Sequence, residues 1–227
     1  MNTIDPIQLG RTICSTAMQF NELREVKPNE LWENPHPAHR DAKIVNLLIA
    51  QLKSVGWSPP LAYCAAFVDA VVCMALTNLG ASKEQIAKFT KLQQLGVLNS
   101  ARAFEEAGLL QKNLEIMYRR TPARPPNDRS MPIRVTNELY SAKVESGSIW
   151  LARHGQTELG HEGIVLTSHE GELLSTIEAN TSKDAKPGDH DREGDWITTK
   201  AFPPEGRGSL RTIGFVTPSS ICQLINQ

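Results

Sequence analysis

The sequence predicts an α+β domain with its helices first and an antiparallel sheet of about five strands after them. Apolar residues recur at helical spacing through the first part of the chain. From Gly147 the pattern changes to short runs rich in β-branched and aromatic residues. Helices followed by strands, rather than alternating with them, indicate a segregated antiparallel sheet. With 227 residues and 40% apolar content, one domain over 1–227 can bury a full core.

In chain order, Ile7, Leu9, Ile13, Ala17, Met18, Phe20 and Leu23 predict an amphipathic helix over residues 5–24. Pro28, Pro35 and Pro37 mark a loop from Arg24 to Arg40. Asp41 can cap a second helix carrying Ile44, Leu47, Leu48, Leu52 and Val55, which Gly56 ends. Pro59 and Pro60 forbid helix continuation, and a fresh helix starts near Tyr63 or Cys64 and runs to about Asn78. Its nearly continuous apolar sequence marks it as the central helix. Ser82 with Gln85 forms a capping-box pattern for a helix through Leu95, and two shorter helices are expected over 100–108 and 110–119. The segment 119–134, with Arg119, Arg120, Arg124, Arg129 and Arg134 among prolines, reads as a solvated loop, a groove for an anionic ligand being the alternative.

The strand candidates are Ser148–Ala152, Gly163–Thr167, Leu173–Ile177, Trp196–Thr199 and Thr212–Val216. Between the third and fourth of these, Asp184 to Asp195 reads as a mobile connection rich in charge and turn residues.

Composition narrows the function. A formal charge of −1 and a pI near 6.6 provide no general attraction to nucleic acid or anionic membranes, so neither is expected as a partner. No basic and apolar leader opens the sequence and no run approaches membrane-spanning length, which predicts a protein made in the cytoplasm in soluble form. Cys14, Cys64, Cys73 and Cys222 contain no Cys-x-x-Cys pair, and neither a disulfide framework nor a cysteine zinc site is expected.

Cys64 falls in the first turn of the central helix, where unpaired N–H groups and the positive end of the dipole favour thiolate. On this stretch alone the residue also reads as one more small buried side chain, as most free cysteines are. A cysteine nucleophile needs a histidine base, and that histidine needs an orienting acceptor. Of the six histidines, His161 opens a clear strand. A hairpin with a four-residue loop at 168–171 puts His161 opposite Glu178, and a two-residue loop at 170–171 puts it opposite Asn180. Glu178 and Asn180 lie two apart on one strand, so either register offers a polar orienter unless a bulge near Gly163 intervenes; they could equally form the wet face of an edge strand. His161 and His169 each begin His-Glu-Gly, but neither continues to the second histidine of a helical zinc site. Asp189-His190-Asp191 reads as a hydrophilic loop cluster, and His169 as a hairpin tip.

Tyr63-Cys64-Ala65-Ala66-Phe67-Val68, Gly160-His161-Glu162-Gly163-Ile164-Val165 and Ser175-Thr176-Ile177-Glu178-Ala179-Asn180-Thr181 together resemble three motifs of the CHAP family, cysteine- and histidine-dependent amidohydrolases and peptidases of the papain-like superfamily. Gly147-Ser148-Ile149 resembles the start of that family's first core strand, and Ile213-Gly214-Phe215-Val216-Thr217-Pro218 its closing segment. The likeness covers about residues 40–80 and 145–218 and treats the region of about 81–140 as an insertion. Tyr63, Glu162 and Ala179 depart from the family pattern of tryptophan, an apolar residue and glycine.

The resemblance implies a papain-like fold with the nucleophile helix packed on the sheet, and hydrolysis of a peptidoglycan amide bond. That bond would be either N-acetylmuramoyl-L-alanine or one within the stem or cross-bridge peptide. Cys64 would be the nucleophile, His161 the base and then the acid, and Glu178 or Asn180 the orienter, with no metal or organic cofactor. The setting would be a lysin released to the cell wall or an antibacterial toxin restrained by an immunity protein. A non-hydrolytic binding protein and an acyltransferase using the same Cys-His pair are the alternatives.

Overall fold

Asp5 starts the first helix: its carboxylate accepts the backbone N–H of Gln8 at 2.8 Å, and Pro6 takes a first-turn position that needs no N–H. In the computed structural model this helix, α1, spans Pro6–Met18. The structure describes residues 3–24, 42–58, 62–94, 144–154, 160–167, 173–182, 196–203, 206–208 and 210–227. The expected helices over 100–108 and 110–119, the arginine-bearing loop, the Asp184 to Asp195 connection, Pro59 and Pro60, and His36, His39, His169 and His190 lie outside those residues.

The helix expected to reach residue 24 ends at Met18. Glu22 adopts φ 66°, and Leu23–Arg24 form a short strand, β1, pairing with Trp196 and Ile197. Phe20 and Leu23 are buried from turn and strand positions, so their apolar spacing extended the helical pattern past its end. The next three helices run close to their expected bounds: α2, Ala42–Ser54; α3, Cys64–Asn78; and α4, Lys83–Gln94. Gly56, at φ +89°, follows α2 in a conformation that glycine adopts without strain. Ser82 and Gln85 form the reciprocal capping box, with Ser82 N–H donating to Gln85 Oε1 at 2.9 Å and Gln85 N–H donating to Ser82 Oγ at 3.2 Å.

A fifth helix, α5, spans Pro218–Ile225, where the sequence reading expected no element. Thr217 caps it and Pro218 opens it, a local signal the strand assignment obscured. Asn226 then joins distant parts of the chain, accepting from Ile4 N–H at 3.2 Å and from Gln85 Nε2 at 3.2 Å, and donating to Ile4 O at 3.1 Å. With Phe89 fully buried, α4 belongs to the core, although it falls in the region read as an insertion.

The remaining strands are β2 (Ile149–His154), β3 (Gly160–Thr167), β4 (Leu174–Thr181), β5 (Trp196–Phe202), β6 (Gly206–Arg207) and β7 (Leu210–Val216). They form one antiparallel sheet in the order β1-β5-β4-β3-β2-β7-β6, the five long strands at the five expected places and two short ones at its edges. Gly163 pairs with Glu178, Ile164 with Ile177 and Val165 with Thr176. This is the register expected for the shorter hairpin loop, and the register setting His161 opposite Glu178 does not form.

The sheet separates two cores. Ile149, Leu151, Ile164 and Ile177 join the helical side, where α3 buries Phe67, Val68, Val71, Val72 and Leu76, each contributing about 1.5–3 kcal/mol of burial. Trp150, Val165, Phe202, Leu210 and Phe215 form the second. Trp150 and Phe202 sit on strands three places apart, yet their ring centroids are 4.8 Å apart. In a flat sheet that gap exceeds about 14 Å. The sheet therefore curls around the second core.

Candidate active site

Tyr63 is the N-cap of α3 and supplies no side-chain cap, which leaves the first-turn N–H groups available around Cys64. Tyr63 is fully buried with its ring edge-on to Trp57, 6.3 Å between centroids, and this packing anchors the helix start.

His161 lies in β3, opposite Ala152, on the face that carries Trp150. Its ring meets the Trp150 ring edge-on at 6.1 Å and is buried. Nε2–H donates to Glu178 Oε2 at 2.8 Å. Glu178 stands opposite Gly163, one diagonal step from His161, and its side chain leans over the glycine to reach the imidazole. A side chain at 163 would obstruct that path. The pairing of β4 with β5 shifts between Glu178 and Thr181, and Asn180 takes φ 58°, so Asn180 does not continue the alternation that would have set it on Glu178's face. Of the two expected orienters, Glu178 holds the ring.

Arg207 completes the arrangement and was not anticipated. Its Nη2 donates to Glu178 Oε2 at 2.6 Å and its Nη1 to Oε1 at 3.1 Å, while Thr176 Oγ1 donates to Oε1 at 2.5 Å. The guanidinium also lies 5.6 Å from the Trp150 ring centre and 5.0 Å from that of Phe202. Arg207 belongs to β6, four places from β4 in the sheet, about 19 Å in a flat one. The curl brings it within reach, and no local signal in Pro-Pro-Glu-Gly-Arg-Gly announces it.

The charges follow from these contacts. Burial opposes ionisation of Glu178, but Arg207, His161 and Thr176 outweigh it and hold the carboxyl down at about 2. Burial likewise disfavours a charged His161, yet its interactions with Cys64 and Glu178 raise it to about 9. Burial also pushes the Cys64 thiol up; the charge and close approach of His161, with the backbone N–H groups of Ala65 and Glu162, reverse this and lower it below the ordinary thiol value. With Nε2 committed to Glu178, Nδ1 is the nitrogen left to serve the thiol. It makes no standard hydrogen bond, a looseness common before substrate arrives. The other three thiols move the opposite way through burial: Cys14 and Cys222 to about 11 and Cys73 to about 12.

Glu162, beside His161 but with the opposite strand orientation, is buried, and its Oε2 has no hydrogen-bond partner. Burial and the nearby charges of Asp69 and Cys64 hold its carboxyl well above the usual range. Among the described residues no group of three His, Cys, Asp or Glu side chains could hold a metal ion, and no helix is long and apolar enough to cross a membrane. Compared with protein-family models, with curated proteins and with solved structures, the chain matches none.

Proposed function

We propose that the chain is a cysteine hydrolase of CHAP type, papain-like in arrangement, that cleaves an amide bond of peptidoglycan through Cys64, His161 and Glu178. The observation that carries the reading is a buried imidazole hydrogen-bonded at 2.8 Å to an ionised Glu178 while its charge lowers the Cys64 thiol at a helix start. The bond specificity rests on the motif likeness alone.

The Cys64 sulfur attacks the amide carbonyl carbon, forming an S–C bond as the carbonyl electron pair moves to oxygen. Backbone N–H groups at the start of α3, including that of Cys64, hold the oxyanion. Collapse breaks the C–N bond, and His161 gives the amine its proton from Nδ1. A water molecule then loses a proton to Nδ1 and attacks the thioester, expelling the Cys64 thiolate and releasing the acid. Glu178 keeps Nε2 protonated throughout, so both transfers use the same nitrogen. Asn180 has no step in this sequence.

Digestion of purified sacculi by the wild-type protein and by Cys64→Ala tests the reading. Fragments released by the wild type alone, with masses raised by one water per bond cut, are expected. Equal release by both, or none by either, would count against hydrolysis. An acyl transfer would appear as products carrying the mass of an added amine.

A further inference from the structure

We infer that Arg207 is a positioning residue that keeps Glu178 a carboxylate and so holds His161 in the tautomer whose Nδ1 can take the Cys64 proton. This rests on the cysteine-nucleophile reading of the site and adds to it a residue from the far edge of the sheet.

Two states of the Glu178–His161 pair have nearly the same shape and opposite consequences. As a carboxylate, Glu178 can only accept; Nε2 must carry a proton, and Nδ1 of the neutral ring is left as the base. As a carboxylic acid, Glu178 can donate its O–H to Nε2. The ring's single proton then sits on Nδ1, which can no longer receive one from the thiol. Protonation also removes the anion facing the imidazolium, so the thiolate and imidazolium revert toward neutral partners.

Burial pushes Glu178 toward the second state. It is completely buried, and burial is the largest influence on its ionisation. Among the described residues, His161 from β3, Arg207 from β6 and Thr176 from its own strand face it, while its register partner on β5 is Thr198. Thr176 donates a neutral hydrogen bond, and the charge on His161 depends on Glu178 itself. The permanent cation of Arg207 is therefore the independent influence that selects the carboxylate. Its fork engages both oxygens, and Trp150 and Phe202 flank the guanidinium.

The test follows thiolate absorbance against pH in wild type, Arg207→Met and Arg207→Lys, with Cys64→Ala subtracted and folding checked by circular dichroism. In Arg207→Met the acid limb of Cys64 ionisation is expected to move upward by at least about one pH unit, a tenfold change in proton affinity. Arg207→Lys should restore part of it, since the charge remains and the fork is lost. A folded Arg207→Met with the wild-type limb overturns the inference, even if its Tm falls, because a purely structural arginine predicts that outcome. Should only Arg207→Lys fold, its limb must still move upward, and an unchanged limb overturns the inference equally. The readout needs no substrate, so failure to digest sacculi leaves it intact. Absence of any absorbance difference between wild type and Cys64→Ala would instead sink the thiolate reading itself.

Discussion

Gly163 stands directly opposite Glu178, and a methyl group built on it would come 2.6 Å from Glu178 Cγ. The glutamate cannot step aside cheaply, because Arg207, His161 and Thr176 hold both its oxygens. Gly163→Ala is expected to cost about 1–3 kcal/mol as an overpacked site, lowering Tm by about 2–12 °C. It should also slow Cys64 alkylation near pH 6 by about tenfold or more, as displacement of Glu178 removes at least one pH unit of thiol activation. Unchanged alkylation in a folded variant would show that His161 does not depend on this path.

Thiol reactivity should be sharply selective. Cys64 is lowered from its ordinary value, whereas Cys14, Cys73 and Cys222 are raised to about 11, 12 and 11. Iodoacetamide at mildly acidic pH, followed by peptide mass mapping, should label Cys64 at least about a hundredfold faster than the others, in line with thiolate fractions that differ by more than two pH units. The enhancement should persist through about pH 9 and fade only toward about 11, where the other thiols begin to ionise. Comparable labelling of all four cysteines would contradict the site.

Glu178 imposes an acid limit on stability. Its folded value of about 2 lies below the ordinary 4.5, so its contribution is complete above about 4.5 and is lost as pH falls toward about 2. Chemical denaturation across that interval should show wild-type stability declining more steeply than that of Glu178→Gln, which has no carboxylate to protonate. Parallel declines would mean that Glu178 is not held ionised.

Glu162 works in the other direction. Its carboxyl is raised above the ordinary 4.5, so the unfolded state ionises first and the group costs stability increasingly as pH rises through 4.5. Glu162→Gln, a neutral isostere, should match wild type near pH 4 and exceed its Tm near pH 7 by about 2–4 °C for each kcal/mol of penalty removed. A lower Tm at both pH values would show that the carboxyl makes a favourable contact that the amide cannot replace.

Loss of the Ser82 cap offers a check on the fold remote from the site. Ser82→Ala removes one half of the reciprocal bonding with Gln85 and should cost about 1 kcal/mol without altering Cys64 alkylation. A change in alkylation would reveal that α4 is coupled to the helix start at Cys64.

Local chemistry was legible along the chain. The bounds of α3, the glycine after α2, the capping box of α4 and the places of the five long strands follow from neighbours within a turn or a pleat, where steric and hydrogen-bonding preferences act directly. The Thr217-Pro218 start of α5 was equally local and was overlooked. Cys64 and His161 could be singled out from a helix start and a strand together with the likeness of their flanking motifs, and Glu178 because a period of two narrows a strand's choices.

What could not be read was distance between remote segments. The hairpin register, the diagonal reach of Glu178 over Gly163 and the left-handed turn at Asn180 depend on how loops close. The curl of the sheet around Trp150 and Phe202 depends on how the second core packs, and it carries Arg207 from the sheet's edge to a carboxylate four strands away. Such contacts arise from the summed burial and pairing of the whole domain, which leaves no periodic trace at residue 207 itself.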